Sequence, residues 1–191
     1  HAKEIWAVDF LQTHDLLFRA VFVFVVIELQ SRRLVHFGVT RSPNDAWLAQ
    51  QLREATPFEH GPRFLIRDND NKYGQAFARV AKATGIEILR TPFQAPKANA
   101  ICERFLGSVR RECLDFYLIL SERHLYRTIK DYQAYFNHSR PHQGIGQHIP
   151  CPRQPDQLHR TEKIVSQPIL GGLHHDYRRR AKERKSLVRA A

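Results

Sequence analysis

Residues 62–74 read PRFLIRDNDNKYG, and residues 85–115 read GIEILRTPFQAPKANAICERFLGSVRRECLD. In the first segment the apolar run at 64–66 meets a polar turn at 67–70, the pattern of a buried strand that delivers a carboxylate, Asp68, to the edge of a sheet. The second segment puts Glu103 near the start of a helix whose other rows are apolar, 35 positions after Asp68. A third acid, Asp9, ends another strand-like run at residues 5–8. Three carboxylates carried by three separate elements are what a metal-dependent phosphoryl-transfer centre requires.

Outward from these acids, residues 3–10 alternate as a strand, with Trp6 and Val8 on one face and Ala7 and Asp9 on the other. A strand-end acid commonly does no more than turn the chain, so Asp9 alone decides nothing. A polar loop is expected at 12–16. Residues 19–29, rich in β-branched and aromatic side chains, read as a central strand, and 34–40 return as its hairpin partner. Ser42 at the cap, Pro43 at the first helical position and Asp45 three residues after the cap predict a helix with a buried stripe at Ala46, Ala49 and Leu52. Residues 64–67 form the fourth strand, 75–84 a helix closed by Gly85, and 86–89 the fifth strand. After a proline-broken loop at 91–99 comes the Glu103 helix, on which Asn99, Glu103, Gly107 and Arg110 share one face. Ser121 caps a further helix running to Asn137. The order is that of a mixed α/β domain.

Composition narrows the function classes. The formal net charge of +11 points to a polyanionic partner, nucleic acid before all others. Three cysteines without a C-x-x-C pair suggest neither a disulfide framework nor a zinc knuckle, and a reducing, cytoplasmic setting is the expectation. The longest apolar run, 20–29, contains Glu28 and is too short to cross a bilayer, so no membrane partner is expected. No G-x-S-x-G elbow, glycine-rich phosphate loop or dinucleotide fingerprint is present. His138 and His142 have a zinc-like spacing, but Pro141 between them argues against a regular helix.

Four segments in order, WAVDF (6–10), FLIRDNDNKYG (64–74), TPFQAPKANAICERFLGSVRREC (91–113) and YFNHSRPHQG (135–144), resemble the catalytic core of DDE transposases. The resemblance is to the retroviral-integrase-like kind found in bacterial insertion sequences of the IS3 type. It covers residues 3–155, and PILGGLHHDYRR (168–179) resembles a family ending. It implies an RNase H-like fold, a five-stranded mixed sheet with helices on both faces. It divides the chain into a catalytic core at 1–150 and a basic C-terminal extension at 151–191. It also implies that a helix-turn-helix region precedes such a core in the whole protein; the chain, which begins at His1 and has no methionine, reads as a piece of a longer frame.

Carried onto this sequence, the resemblance makes Asp9, Asp68 and Glu103 the catalytic, metal-holding triad, with two Mg²⁺ ions that Mn²⁺ can replace. The glycine slot of the family's D-N-G triplet holds Asp70, so Asp70 stands beside Asp68 as a candidate for the second position. The partners implied are DNA, both element ends and target, and further copies of the chain. Lys72, Lys97, Asn99, Arg104, Arg110 and Arg111 are the expected DNA contacts. Arg140 and His142 stand equally as DNA contacts or as supports of the fold. The same centre would nick donor DNA and then join the freed 3′-hydroxyl to a target. A nuclease that cuts without joining, and a DNA-binding remnant without chemistry, are the alternatives. Residues 176–191 hold seven Lys or Arg against two acids, a run that is either solvated or a nucleic-acid arm.

Overall fold

A computed structural model describes residues 2–57, 61–91, 99–152 and 163–179. The chain divides into two compact units, residues 1–152 and 153–191. In the first, β1 (Ile5–His14), β2 (Ala20–Glu28), β3 (Leu34–Thr40), β4 (Phe64–Arg67) and β5 (Glu87–Arg90) form one sheet in the order β3-β2-β1-β4-β5. β1 pairs antiparallel with β2 and parallel with β4, and β5 extends the parallel half. This is the mixed five-stranded, RNase H-like sheet that the sequence led us to expect.

Period-two alternation assigns the sheet's two faces. Trp6, Val8, Phe24, Val26 and Leu65 share a core with Leu48 and Leu52 of α1 (Asp45–Ala55) and Phe77 and Val80 of α2 (Gln75–Ala83). The intervening residues of β1, Ala7, Asp9 and Leu11, face the other way. There α3 (Ala100–Glu112) packs on β1 and β2, and α4 (Glu122–His138) packs on β3. Asn137 of α4 fixes the β3 end, accepting from the Leu34 N–H and donating to its carbonyl, each at 2.9 Å.

Most element ends fall within one or two residues of the sequence expectation, and three differences have a clear physical cause. β1 runs on to His14 through the segment expected as loop, because Gln12, Thr13 and His14 find ladder partners in Phe22, Val21 and Ala20. β5 starts at Glu87 rather than Ile86, which is buried and bonded instead to the end of α2. The cap of α1 is Asn44, whose side chain accepts from the Trp47 N–H at 2.9 Å, and not Ser42.

Asp45 is engaged elsewhere. Its carboxylate accepts from the backbone N–H groups of Gly74 (3.0 Å), Ala76 (2.7 Å) and Phe77 (2.8 Å), capping α2 from a distance of some thirty residues in sequence. Burial works against the charged form, but these three bonds and Arg79 hold the carboxyl below its ordinary range. The approach needs a glycine: a Cβ on Gly74 would lie 2.6 Å from Asp45 Oδ2. Asp45→Ala and Gly74→Ala are each expected to cost about 2 kcal/mol, a cap lost at a helix N-terminus. For a chain of this size that lowers Tm by roughly 4–8 °C; a change below about 1 °C in thermal denaturation would refute the assignment.

Asp15 ties the β1–β2 turn. It is 5% exposed and accepts from the N–H groups of Leu17 and Arg19 (both 2.9 Å), from Arg19 Nε (2.8 Å) and from Arg41 Nη2 (2.8 Å). Burial would raise its pKa, yet the arginines and backbone donors carry it well below the carboxylate range. A depressed pKa contributes stability above the unfolded value, about 3.8, that is lost as pH falls through the folded one. Asp15→Asn should therefore lower Tm by several degrees at pH 7, with the gap from wild type closing below pH 4 in a pH series of melts.

In the second unit, β6 (Ile164–Ile169) pairs antiparallel with β7 (His174–Arg179). Leu170, Gly171 and Gly172 make the turn with positive φ, which the two glycines accept without strain. A short strand at 163–170 is expected from the sequence; its partner is not. The linker expected after Pro150 and most of the basic run at 176–191 lie outside the described residues.

Candidate active site

The parallel rungs Ile5↔Phe64, Trp6↔Leu65 and Ala7↔Ile66 set the relation of the first two acids. Continued by two residues, the same register sets Asp68, just past the end of β4, beside Asp9 in the middle of β1. Ligands favour the carboxyl ends of parallel strands in α/β sheets, because loops bring side chains together there. Asn99, at the start of α3, donates from Nδ2 to Asp9 Oδ2 at 3.1 Å and to the Val8 carbonyl at 3.4 Å. That contact anchors the first turn of α3 over β1. Glu103, exposed and one turn further on, follows from it.

Burial raises the Asp9 pKa to about 6, the charges of Asp68, Glu103 and Asp70 push in the same direction, and the Phe10 N–H bond (2.7 Å) opposes them. The charges of the turn after β4 and of α3 thus bear together on the carboxylate of β1. Among the described residues no three His, Cys, Asp or Glu side chains close into a metal-holding group. The donor set nevertheless suits a hard divalent cation, being all oxygen. Asn99 Oδ1, buried and without a hydrogen-bond partner, lies beside it.

Asp68 and Asp70 differ in their surroundings. Asp70 accepts from the Lys72 backbone N–H at 2.9 Å and forms an ion pair with the Lys72 ammonium, which together hold its carboxyl low despite burial. Asp68 has no cation on its carboxylate among the described residues; it receives the Asp70 N–H at 3.3 Å. Beneath the pair lie two residues that the sequence pattern does not single out. Arg67, 5% exposed, donates to the Asp68 carbonyl at 2.7 Å and lies 4.8 Å over the ring of Tyr73. Tyr73 is buried against Phe10 and Phe77, and its hydroxyl has no partner. Their one legible signal is position: Arg67 directly precedes Asp68, and Tyr73 ends the same motif.

The expected DNA contacts are dispersed. Arg104 and Arg111 are exposed on α3, and Arg110 donates to the Gln12 carbonyl at 2.8 Å, on the Glu103 side of the helix. Lys72 leans over Phe10 as well as pairing with Asp70. Asn99 is 8% exposed and committed to Asp9. Lys97 lies outside the described residues. Arg140 grips Glu112 in a fork, Nε to Oε2 at 2.7 Å and Nη2 to Oε1 at 2.5 Å, while the buried Tyr132 hydroxyl donates to the same carboxylate at 2.9 Å. His142 is buried, donates from Nε2 to the Phe136 carbonyl at 3.0 Å and stands edge-on to the Phe136 ring. Burial pushes it toward the neutral form.

Comparison with known proteins is consistent with this geometry. Residues 84–150 match the integrase core domain. The chain is 29% identical over 174 residues to an uncharacterized 39.2 kDa protein of insertion element IS476 from Xanthomonas euvesicatoria, covering 90% of this chain and 50% of that protein. It is 24% identical over 144 residues to an uncharacterized 31.7 kDa protein of insertion element IS407 from Burkholderia multivorans, covering 75% and 52%. The chain thus spans about half the length of the curated relatives it matches. Among solved structures, the HTLV-2 integrase catalytic core domain in complex with magnesium superposes with a TM-score of 0.62 at 12% identity, over 78% of this chain and 93% of that one. No helix among the described residues is long and apolar enough to cross a membrane.

Proposed function

We propose that this chain, which matches the integrase core domain over residues 84–150 and resembles proteins of two insertion elements, is a DDE core that cuts and rejoins DNA strands at the Asp9, Asp68 and Glu103 carboxylates. The observation that supports the reading is the parallel register of β1 and β4, which continued by two residues sets Asp68 beside Asp9, with the charge of Glu103 bearing on the same carboxylate. Two Mg²⁺ ions, or Mn²⁺ in their place, would supply activation of the attacking oxygen and neutralise charge on the leaving one. Asp9 would serve both ions, Asp68 one and Glu103 the other. The chain's own groups prepare that site. Asn99 fixes the rotamer of Asp9 through Oδ2, and Lys72 neutralises Asp70, leaving Asp68 as the uncompensated acid of the turn. Arg67, held on Tyr73, pins the backbone at Asp68.

DNA would be gripped through its phosphates by Lys72, Lys97, Arg104, Arg110 and Arg111, without base readout and with steep salt dependence. Element ends and target are the substrates on this reading. Two ends must be joined, so at least two copies act together, in the compartment that holds the DNA, the bacterial cytoplasm.

Nicking of a labelled duplex bearing an element end, in Mg²⁺ or Mn²⁺ and with EDTA as control, tests the proposal. Nicking that EDTA and Asp68→Asn abolish, and Asp70→Asn spares, is the expected pattern. The reverse pattern would move the second position to Asp70, and nicking that persists in EDTA would remove the metal from the reading altogether.

A further inference from the structure

A cavity of about 350 Å³ opens on the flank of α3 turned away from Glu103. Its walls come from α3, from the turn between β2 and β3, and from the segment after α4. One side is apolar, with Ile27, Ile101 and Phe105; the other carries Arg32, Arg104 and Arg111. Arg140 and Glu112 also reach the wall, but each holds the other. The remaining three arginines form no ion pair among the described residues. Arg32 is the most exposed to this imbalance: its Nη1 is buried and has no hydrogen-bond partner among the described residues. Its backbone sits at φ 64, a conformation that a non-glycine residue adopts at a cost. Burial, and then the charge of Arg104, weaken its hold on its proton.

Two guanidiniums brought together and partly stripped of water, with no anion between them, leave an unbalanced charge and unused donors. A phosphate supplies both counter-charge and acceptors, since guanidinium forks match its oxygens. The apolar wall opposite asks for something flat and hydrophobic on the same ligand, and the volume is that of a small-molecule site. We infer that this cavity seats one nucleotide unit of the bound DNA strand, its phosphate between Arg32 and Arg104 and its base against Ile101 and Phe105. The inference rests on the reading of the chain as a DNA strand-transfer core. It extends that reading by placing a strand contact on the far side of the helix that carries Glu103, one helix diameter of about 10 Å away.

The test is fluorescence anisotropy of a labelled branched DNA with the full chain and its Arg32→Gln, Arg104→Gln and doubly substituted variants. Arg53→Gln, an exposed arginine of α1 on the other side of the sheet, controls for loss of charge. Each pocket variant should bind about 5–10-fold more weakly at low salt and lower the log–log salt slope by about 0.9, as for one lost phosphate contact. The double variant should fall no more than about twofold further, because both arginines serve one phosphate. Arg53→Gln should stay within about twofold of wild type. Arg104 is exposed on a helix surface, so its variant reports on the pocket even if Arg32→Gln disturbs the turn. Pocket variants that bind DNA like Arg53→Gln overturn the inference. So does deoxyadenosine monophosphate binding that is lost in Arg32→Gln while DNA affinity is unchanged, which would assign the cavity to a free nucleotide. Either result, with metal-dependent nicking intact, leaves the proposed chemistry standing and removes Arg104 from the phosphate grip; loss of nicking with pocket-dependent binding intact does the opposite.

Discussion

Asp9→Asn is expected to lower strand cleavage by at least about 10³-fold, to leave DNA affinity within about twofold, and to raise rather than lower Tm. Activity falls because the amide cannot supply the charge that two cations require. Affinity holds because the proposed grip is phosphate contact from lysines and arginines, none of which touches Asp9 among the described residues. Stability rises because Asp9 is a half-buried carboxylate on which the charges of three others bear. Removing that charge while keeping a side chain of the same shape relieves up to roughly 2–3 kcal/mol at neutral pH. The Asn99 bond survives if the new amide presents its oxygen. Mg²⁺ should correspondingly raise the Tm of wild type and not of the variant, since ligand binding to the folded state is stabilising. A variant that melts lower and cleaves normally would show Asp9 to be an ordinary strand acid.

Glu112→Ala should destabilise the fold more than the loss of either cap of α2 or of the Asp15 turn, by about 3 kcal/mol, or roughly 6–12 °C in Tm. It removes the acceptor for both nitrogens of the Arg140 fork and for the Tyr132 hydroxyl, which lies in the core between α3 and α4. What remains is a half-buried guanidinium and a buried phenol without their partner, which costs more than the pair contributes. Arg140→Gln should lower Tm in the same direction while DNA affinity, measured at a temperature where both proteins are folded, stays within about twofold. A large loss of affinity without loss of stability would instead make Arg140 a DNA contact, the other role the sequence leaves open to it.

Periodicity made the sheet legible. The third strand is read to its final residues, 34–40, and the alternation of residues 6–9 places Asp9 on the face away from Trp6. Asp68 is legible as an acid that follows a strand and Glu103 as one near a helix start, because local pattern determines them; Asp9 reads as a strand end but lies in mid-strand, since pairing with β2 carries β1 on to His14. Arg32, Tyr73 and the Asp45 cap are not, for one shared reason: each acts through partners far along the chain. Asp45 lies 29 residues before Gly74 and reads locally as the third residue of its own helix's capping box; tertiary packing lends it to α2 instead. Arg32 reads as a turn residue, and only the packing of α3 and the segment after α4 encloses its guanidinium. The strand β7 is hidden by its composition, since HHDYRR carries no apolar alternation; its ladder with β6 defines it.

Whether the three acids form a centre able to join DNA strands is decided on a labelled branched DNA that mimics the product of strand transfer. Such a substrate brings the reacting strands already placed. With Mg²⁺ or Mn²⁺ the chain should reseal the donor strand and release the branch, and Glu103→Gln should bind the same DNA and do neither. Hydrolysis of the branch without resealing would contradict strand transfer and leave a nuclease. Binding without any chemistry in the wild-type chain would contradict the catalytic reading itself.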